Sequence, residues 1–370
     1  MAPLPGSPDF ATGFLTGVAA ALILVTVIAV FFLCSGNMYD LDHWKLNIRT
    51  PLPSMWMNLG YWSGATFAML PSCLSADTAD RKSPSGKPIR HLDEACASLL
   101  RELLSTAGLL RQDDDNTSSP PDPLAILDLG IGCGDQTSEI VRLMVQQQGR
   151  QLGYVGLTLS PVQLQAAVQR LDRELAAAAR ADEKVQTGPI NLFCTDAAKP
   201  HAWPGHVRSA VEALADKSFT ERWLLAVDCL YHFSPSRRPI WNYATRKLGA
   251  NVAAFDLLLN ESSSWRDIIF ARAVGVLMRC PWRTFLTEEE YREQLVASGY
   301  ERESVIFRDV SEDVFPGLVG FLDSQDQSLA KYGISLGGGF RFARNLFNWF
   351  GTAKIIKAVI VVAHVNKDAA

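Results

Sequence analysis

Apolar residues along this chain follow two periods, and the two alternate after residue 124. Short apolar runs, typical of buried strands, are separated by longer stretches with apolar residues at helical spacing. The predicted strands are 124–129, 153–158, 190–195, 222–229, 251–259, 303–308 and 356–364. The predicted helices are 136–149, 161–181, 236–248 and 287–298. This alternation predicts an α/β domain in which helices cover both faces of a parallel sheet.

The N-terminal pattern is different, because residues 14–34 contain no charged side chain. At about 1.5 Å per residue, a helix of this length spans the ~30 Å hydrocarbon core of a bilayer. A cleavable signal peptide is the alternative, but Asp9 and no Lys or Arg precede the run. Lys45 and Arg49 follow it, which favours a single-pass anchor with the remaining chain facing the cytosol. The endoplasmic reticulum is a candidate membrane.

Turn-forming residues divide the rest of the chain. Clusters of Pro, Ser and Gly mark residues 35–90 as a connector, and helical spacing resumes over 91–110. A polar loop at 113–121 separates that helix from the first predicted strand. We therefore expect a tail at 1–13, the anchor at 14–34, the connector at 35–90 and the catalytic domain at 91–370.

Composition excludes several classes of protein. The chain has 370 residues and a net charge of −4, without the basic excess typical of nucleic-acid binding. Hydrophobic residues make up 48%, which argues against a disordered chain and against a polytopic transporter. The seven cysteines include no Cys-x-x-Cys pair, so we expect reduced thiols, no disulfide framework and no metal site.

One motif indicates a ligand site. The predicted strand 124–129 leads into Gly130-Ile131-Gly132-Cys133-Gly134, and a predicted helix follows. Glycines permit a tight turn and let a ligand lie against bare backbone, while the first amides of the helix face the same crevice. In a dinucleotide-binding turn the third glycine would come one residue later.

Three segments together resemble a known family. Leu127–Gly134 resembles the first motif of the class I S-adenosylmethionine-dependent methyltransferases. Gly156–Gln163 resembles the subgroup of tocopherol, phosphoethanolamine and sterol methyltransferases and cyclopropane fatty acid synthases. Asn58–Trp62 is similar to the cap that this subgroup carries upstream. The resemblance extends over about residues 55–365 and implies a Rossmann-like seven-stranded sheet with helices on both faces, with S-adenosylmethionine as cofactor.

The resemblance also implies roles for individual residues. The glycine loop would wrap the methionine half of the cofactor, and Asp128 would orient its amine end. Many class I enzymes hold the ribose with an acid after the second strand, whereas this chain offers Thr158, Ser160 and Gln163 there. The remaining predicted cofactor contacts are Asp196 near the adenine amine, Asp228 beside the reacting methyl group, and Tyr61 in the cap.

Each of these residues also has a purely structural interpretation. Asp128 and Asp196 could be turn acids, and Tyr61 and Trp62 could be core aromatics. His232 follows the fourth predicted strand, and an ordinary histidine pKa of ~6.5 suits a general base. A packed histidine that bonds a carbonyl is the alternative, and Tyr231 is a second candidate for the catalytic role.

Two further segments mix aromatic or aliphatic residues with arginines. Residues 340–350 follow a triple-glycine hinge and could rest on a bilayer and guide a lipid substrate, or pack as an amphipathic helix. Residues 266–279 could form a substrate lid or belong to the core.

These patterns together predict a membrane-anchored methyltransferase that acts on a small, hydrophobic or lipid-like acceptor. One alternative is an N- or O-methyltransferase of a soluble metabolite, localised by its anchor. A cyclopropane synthase is less favoured. Another alternative is a binding protein that keeps the fold but not the catalysis.

Overall fold

The computed structural model describes residues 8–34, 54–63, 89–110, 122–180, 187–331 and 335–366. The chain divides into two compact units, residues 1–38 and residues 39–370. Several predicted features lie outside the described residues: most of the connector with Lys45 and Arg49, and the polar loop at 113–121.

The described part of the first unit is the helix α1 (Pro8–Cys34). It begins six residues before the predicted anchor, because Pro8 and Asp9 are both favourable in the first turn of a helix. By length and composition, its segment Phe10–Val27 is long and apolar enough to cross a membrane.

The second unit is built on a seven-stranded sheet. Its strands are β1 (Leu124–Leu129), β2 (Leu152–Thr158), β3 (Thr187–Cys194), β4 (Glu221–Val227), β5 (Asn251–Leu259), β6 (Ile306–Asp309) and β7 (Ile356–Ala363). They lie in the order β3-β2-β1-β4-β5-β7-β6. The sheet is mixed and not wholly parallel as predicted, because β7 runs antiparallel to both β5 and β6. Buried strands are rich in β-branched residues whether they run parallel or antiparallel to their neighbours. The sequence of β7 therefore does not indicate its direction.

Nine helices belong to the described part of this unit. They are α2 (Leu92–Thr106), α3 (Asp135–Val141), α4 (Pro161–Arg180), α5 (Gly205–Glu212), α6 (Arg238–Tyr243), α7 (Trp265–Leu277), α8 (Glu288–Ala297), α9 (Ser311–Ala330) and α10 (Gly338–Ala353). Helices α3 and α6 continue as π-helical turns to Gln147 and Leu248. The four predicted helices are present within two residues at each end.

Helices cover both faces of the sheet, as predicted. Every residue of β1 is buried, and its side chains alternate between two separate apolar clusters. Leu124 and Ile126 belong to the cluster that contains α2, α9 and α10. Ala125, Leu127 and Leu129 belong to the cluster that contains α5, α6 and α8. Since β1 to β5 run parallel, their carboxyl ends share one edge, where ligands bind in sheets of this type.

Candidate active site

The glycine loop after β1 has a backbone that only glycine adopts easily. Gly130, Gly132 and Gly134 have φ angles of 74°, 56° and 86°, all in the left-handed region. A Cβ on Gly134 would lie 2.7 Å from Cα of Ala167 in α4, so this glycine permits close helix packing. Of the residues that the structure describes, a Cβ on Gly132 would meet only Met57, whose Cε would lie 3.4 Å away. The middle of the loop therefore presents bare backbone beneath Met57.

Asp128 lies behind this loop and is completely buried. Both of its carboxylate oxygens accept hydrogen bonds, one from Gln136 Nε2 at 2.6 Å and one from the Tyr154 hydroxyl at 2.5 Å. Burial raises the pKa of Asp128 to about 7, although these two hydrogen bonds oppose the rise. Through these two hydrogen bonds, Asp128 links β1 to β2 and to α3 in the interior of the domain. Its predicted contact with a cofactor amine stays a prediction.

The three predicted ribose contacts come together at the end of β2. Thr158 Oγ1 donates to Gln163 Oε1 at 2.8 Å, and the Gln163 amide N–H donates to Ser160 Oγ at 3.4 Å. All three side chains are buried. Gln163 Nε2 also reaches Met57 Sδ at 3.5 Å. The residues predicted in place of the usual acid thus form one polar cluster beside the glycine loop.

Residues 54–63, which we call the strap, cross the ends of three strands. The Met55 amide donates to Asp135 Oδ1 at 3.0 Å, at the start of α3. Met57 contacts the β2 cluster, and the Leu59 amide donates to the carboxylate of Asp228 after β4. Met55, Met57 and Leu59 are contacts that sequence reasoning missed, because only the fold brings the strap to these loops.

The end of the strap is fixed in the core. The amide of Tyr61 donates to the Ala95 carbonyl at 2.9 Å, and that of Trp62 to the Asp313 carbonyl at 2.7 Å. Both aromatic side chains are buried, and Trp62 stacks on Phe321 at 5.2 Å between ring centroids. Burial raises the pKa of Tyr61, and nearby Asp313 adds to the rise. The predicted cofactor contact of Tyr61 stays a prediction.

Asp228 has a strained backbone at the end of β4. Its φ is 61°, and such a conformation costs a non-glycine residue about 1–3 kcal/mol and is common at functional sites. Its carboxylate accepts a hydrogen bond from the Tyr231 hydroxyl at 2.8 Å. Burial raises the pKa of Asp228 to about 7, although the bonds from Tyr231 and Leu59 oppose the rise.

His232 lies one turn further on, and its surroundings favour the neutral imidazole. Its Nδ1 is 3.3 Å from Sγ of Cys280, and its ring centroid is 4.3 Å from that of Tyr231. Burial, together with the charge of Arg237, lowers the pKa of His232 to about 4. Burial raises the pKa of Cys280 to about 12, so the neighbouring thiol stays protonated. His232 is therefore free to accept a proton at neutral pH, but it is a weak base.

A buried ion pair supports this turn from below, and sequence reasoning missed it. Arg237 Nε and Nη2 donate to the two oxygens of Asp256 at 2.8 and 3.1 Å. Arg237 Nη1 also donates to the Thr284 carbonyl at 2.7 Å, and Thr284 Oγ1 donates to the Tyr231 carbonyl. The one signal available was Asp256 itself, an acid inside an apolar strand.

Asp196 lies in a turn after β3. Its Oδ1 accepts the Ala198 amide at 3.0 Å, and its Oδ2 pairs with Lys199 Nζ at 2.8 Å. The Thr195 amide donates to the Thr158 carbonyl at 2.8 Å, which fixes this turn beside the β2 cluster. The predicted adenine contact stays a prediction. Among the described residues, no group of three or more His, Cys, Asp or Glu could hold a metal ion.

The raised carboxyl pKa values predict how stability depends on pH. An unfolded Asp has a pKa of ~3.9, so the folded chain binds more protons than the unfolded chain between pH ~4 and 7. The free energy of unfolding should therefore fall as pH rises through 7, by at most about 1.4 kcal/mol per pH unit for each group. His232 has the opposite effect below pH ~6.5, since its folded pKa is lowered. We expect urea unfolding between pH 6.5 and 8 to show the decline.

The control for this experiment is Asp228→Asn, which removes one titrating group and keeps its shape. Its decline above pH 6.5 should be shallower than that of the unsubstituted chain. A decline of the same steepness in both proteins would contradict the raised pKa of Asp228.

Comparison with known proteins gives the fold of this chain. No protein-family profile matches the sequence, and no curated protein matches it either. The solved structure of the (4+2)-cyclase SpnF is similar, with a TM-score of 0.51 and 18% identity over 90% of this chain and 94% of that one. The cyclopropane synthase MmaA2 from Mycobacterium tuberculosis is similar with a TM-score of 0.53 and 15% identity, over 88% of this chain and 95% of that one. At such identities the likeness shows a shared fold.

Proposed function

We propose that this chain, which has the fold of the class I methyltransferases, transfers a methyl group from S-adenosylmethionine to a small, hydrophobic or lipid-like acceptor. The observation that carries the proposal is the open backbone at Gly132, between the strap and the polar cluster of Thr158, Ser160 and Gln163. A side chain at Gly132 would occupy the space in which a cofactor would lie against the loop. The residues present therefore fit S-adenosylmethionine.

The chain's own residues would act mainly by binding and orienting. The loop amides at Gly130, Gly132 and Gly134 would hold the methionine half, and the β2 cluster would hold the ribose. When bound, S-adenosylmethionine supplies a methyl group that its sulfonium already activates. Positioning the acceptor in line with that methyl group then supplies much of the acceleration. Met57 and the rest of the strap would exclude water from above.

Tyr231 and His232 are the proposed catalytic residues at the acceptor side. Tyr231 is held by Asp228, so its hydroxyl has a fixed direction. A neutral His232 can take a proton from an acceptor hydroxyl or amine as the methyl group is transferred, without first losing one of its own. The low pKa limits its strength as a base, which suits a reaction in which positioning contributes most.

The membrane location is a separate part of the proposal. Helix α1 is apolar along Phe10–Val27 and would hold the chain in a bilayer, with the catalytic unit on the cytosolic side. Our candidate for the membrane that holds this anchor is the endoplasmic reticulum. An anchor of this kind brings the site close to acceptors that are scarce in water. A soluble metabolite, methylated on nitrogen or oxygen, is the alternative acceptor.

One observation favours a second candidate function. A structure with the same fold is named a cyclase, so this fold also serves chemistry other than methyl transfer. The second candidate is therefore a protein that binds the cofactor, or a related ligand, without transferring the methyl group. The intact glycine loop supports cofactor binding in both cases.

The deciding experiment is calorimetric binding of S-adenosylmethionine and S-adenosylhomocysteine to the full chain, followed by methyl transfer to lipid extracts. We expect micromolar binding that Asp128→Ala abolishes, because this change removes the carboxylate that accepts hydrogen bonds from Tyr154 and Gln136 behind the loop. A matched control is Asp216→Ala, which changes an acid in an exposed turn. Thermal unfolding of each variant separates lost binding from lost fold.

The outcomes separate the candidates. Binding without methyl transfer to any acceptor supports the second candidate, and no binding by the folded chain overturns both. Deletion of residues 1–40 should abolish activity on membranes and leave cofactor affinity unchanged if the acceptor is a lipid. Unchanged activity after that deletion favours a soluble acceptor.

A further inference from the structure

Helix α7 turns an apolar face to water. Trp265, Ile269, Phe270 and Val276 are 68%, 50%, 58% and 49% exposed. At helical spacing these four residues lie on one side of α7, and we call this surface the α7 face. The opposite side, with Ala271 and Gly275, is buried, and Gly275 permits the close approach of Phe285. A helix at the surface of a soluble domain normally carries polar residues on its outer side, so this face calls for a partner.

Arginines outnumber acids in the segment that carries the α7 face. Residues 265–283 contain Arg266, Arg272, Arg279 and Arg283 against one acid, Asp267. Asp267 is engaged at the start of the helix, where its carboxylate accepts a hydrogen bond from Ser264 Oγ at 2.7 Å. The guanidinium of Arg266 lies 5.3 Å from the ring centroid of Trp265. The exposed side chains of the face are therefore large and apolar, and the segment that carries them is positively charged overall.

The apolar surface continues onto α10. Phe270 contacts Trp349 edge to face, with 5.1 Å between ring centroids. Phe342 lies two helical turns before Trp349, on the same side of α10, and is 43% exposed next to the exposed Arg341. Two helices thus contribute aromatic side chains with arginines beside them.

We infer that the α7 face docks on the surface of an anionic lipid bilayer. Trp and Phe side chains reside at the boundary between headgroups and acyl chains, and arginines beside them pair with lipid phosphates. The excess of four arginines over one acid in residues 265–283 favours an anionic surface. This inference rests on the membrane placement in the proposed function, because α1 would hold the chain at such a surface. It adds a second contact, which would orient the catalytic unit.

The test is hydrogen exchange of the full chain in nanodiscs of phosphatidylcholine, with and without phosphatidylglycerol. We expect the amides of 265–277 to exchange about tenfold more slowly when phosphatidylglycerol is present, a protection that added salt weakens. Ile269→Glu should remove this protection, since it places a negative charge among the apolar side chains of the face. The amides of α8, which packs on the other face of the sheet, should exchange at the same rate in all discs.

Ile306→Glu is the matched control, because Ile306 is 48% exposed, like Ile269, but lies on β6. It should leave the protection of α7 unchanged. If α7 exchanges equally in all discs while α1 is protected, the inference is overturned, although α1 would still be a membrane anchor. That result would point to a protein partner for this face. Exchange of α1 itself without protection would instead contradict the membrane placement. Cofactor binding in the same discs reports on the catalytic proposal independently.

Discussion

Replacing Gly132 with alanine should weaken S-adenosylmethionine binding by at least about a hundredfold, equivalent to roughly 2.7 kcal/mol, while the fold persists. The new methyl group would project from the bare backbone of the loop, 3.4 Å from Met57 Cε, where the cofactor would lie. The φ of 56° costs an L-residue about 1–2 kcal/mol, which lowers the stability of the fold and not the affinity itself. Calorimetric titration measures the affinity, and thermal unfolding measures the fold.

The matched control is Gly149→Ala. Gly149 has a φ of 65°, and a Cβ there would meet no atom of the described residues within 4 Å. This variant carries the same backbone cost as Gly132→Ala, but it lies outside the site, so its affinity should equal that of the unsubstituted chain. Unchanged affinity in Gly132→Ala would mean that the cofactor does not lie against this loop. Gly134→Ala is less informative, because its collision with Ala167 would disturb α4 as well.

The sequence could predict the glycine loop because everything that defines it is local. An apolar strand, three glycines and a following helix stand within a short segment, and Thr158, Ser160 and Gln163 are equally close together. The strap is different, because its contacts are distant in sequence. The Met55 amide donates a hydrogen bond to Asp135, which lies 80 positions later in the chain. No local pattern says which loop such a segment will cross. The resemblance predicted a cap at 58–62, but the partners of Met55, Met57 and Leu59 became visible only in the fold.

Two features of the fold were missed for other reasons. Helices α5 and α9 are absent from the sequence prediction, and α9 contains Pro316 and Gly317. Both residues disfavour helix by propensity, but packing overrides them. Gly317 is needed there, because a Cβ would lie 2.1 Å from Cβ of Trp62. The residue that weakens the helix signal is thus the one that admits the end of the strap.

The ion pair of Arg237 and Asp256 shows a third limit. Its two partners lie 19 positions apart, and Arg237 alone has an ordinary interpretation as a surface charge, although Asp256 stands inside an apolar strand. In the fold, Arg237 is 3% exposed and Asp256 is fully buried, and together they connect β5 to the turn that carries Tyr231. A pair of this kind is costly to break, because the remaining charge would be buried without its counterion.

Arg237→Gln should therefore lower the free energy of unfolding by about 3–5 kcal/mol, the largest stability effect we expect from one substitution in this chain. Urea unfolding of the full chain in detergent measures it. The matched control is Arg302→Gln, because Arg302 pairs with Glu289 and Glu293 at the surface, where such pairs contribute about 0–1 kcal/mol.

The double variant Arg237→Met with Asp256→Leu should recover much of the loss, because it removes both charges. Equal losses in Arg237→Gln and Arg302→Gln would contradict the buried pair. Recovery of stability in the double variant without recovery of methyl transfer would show that the pair also positions Tyr231 and His232 for the reaction.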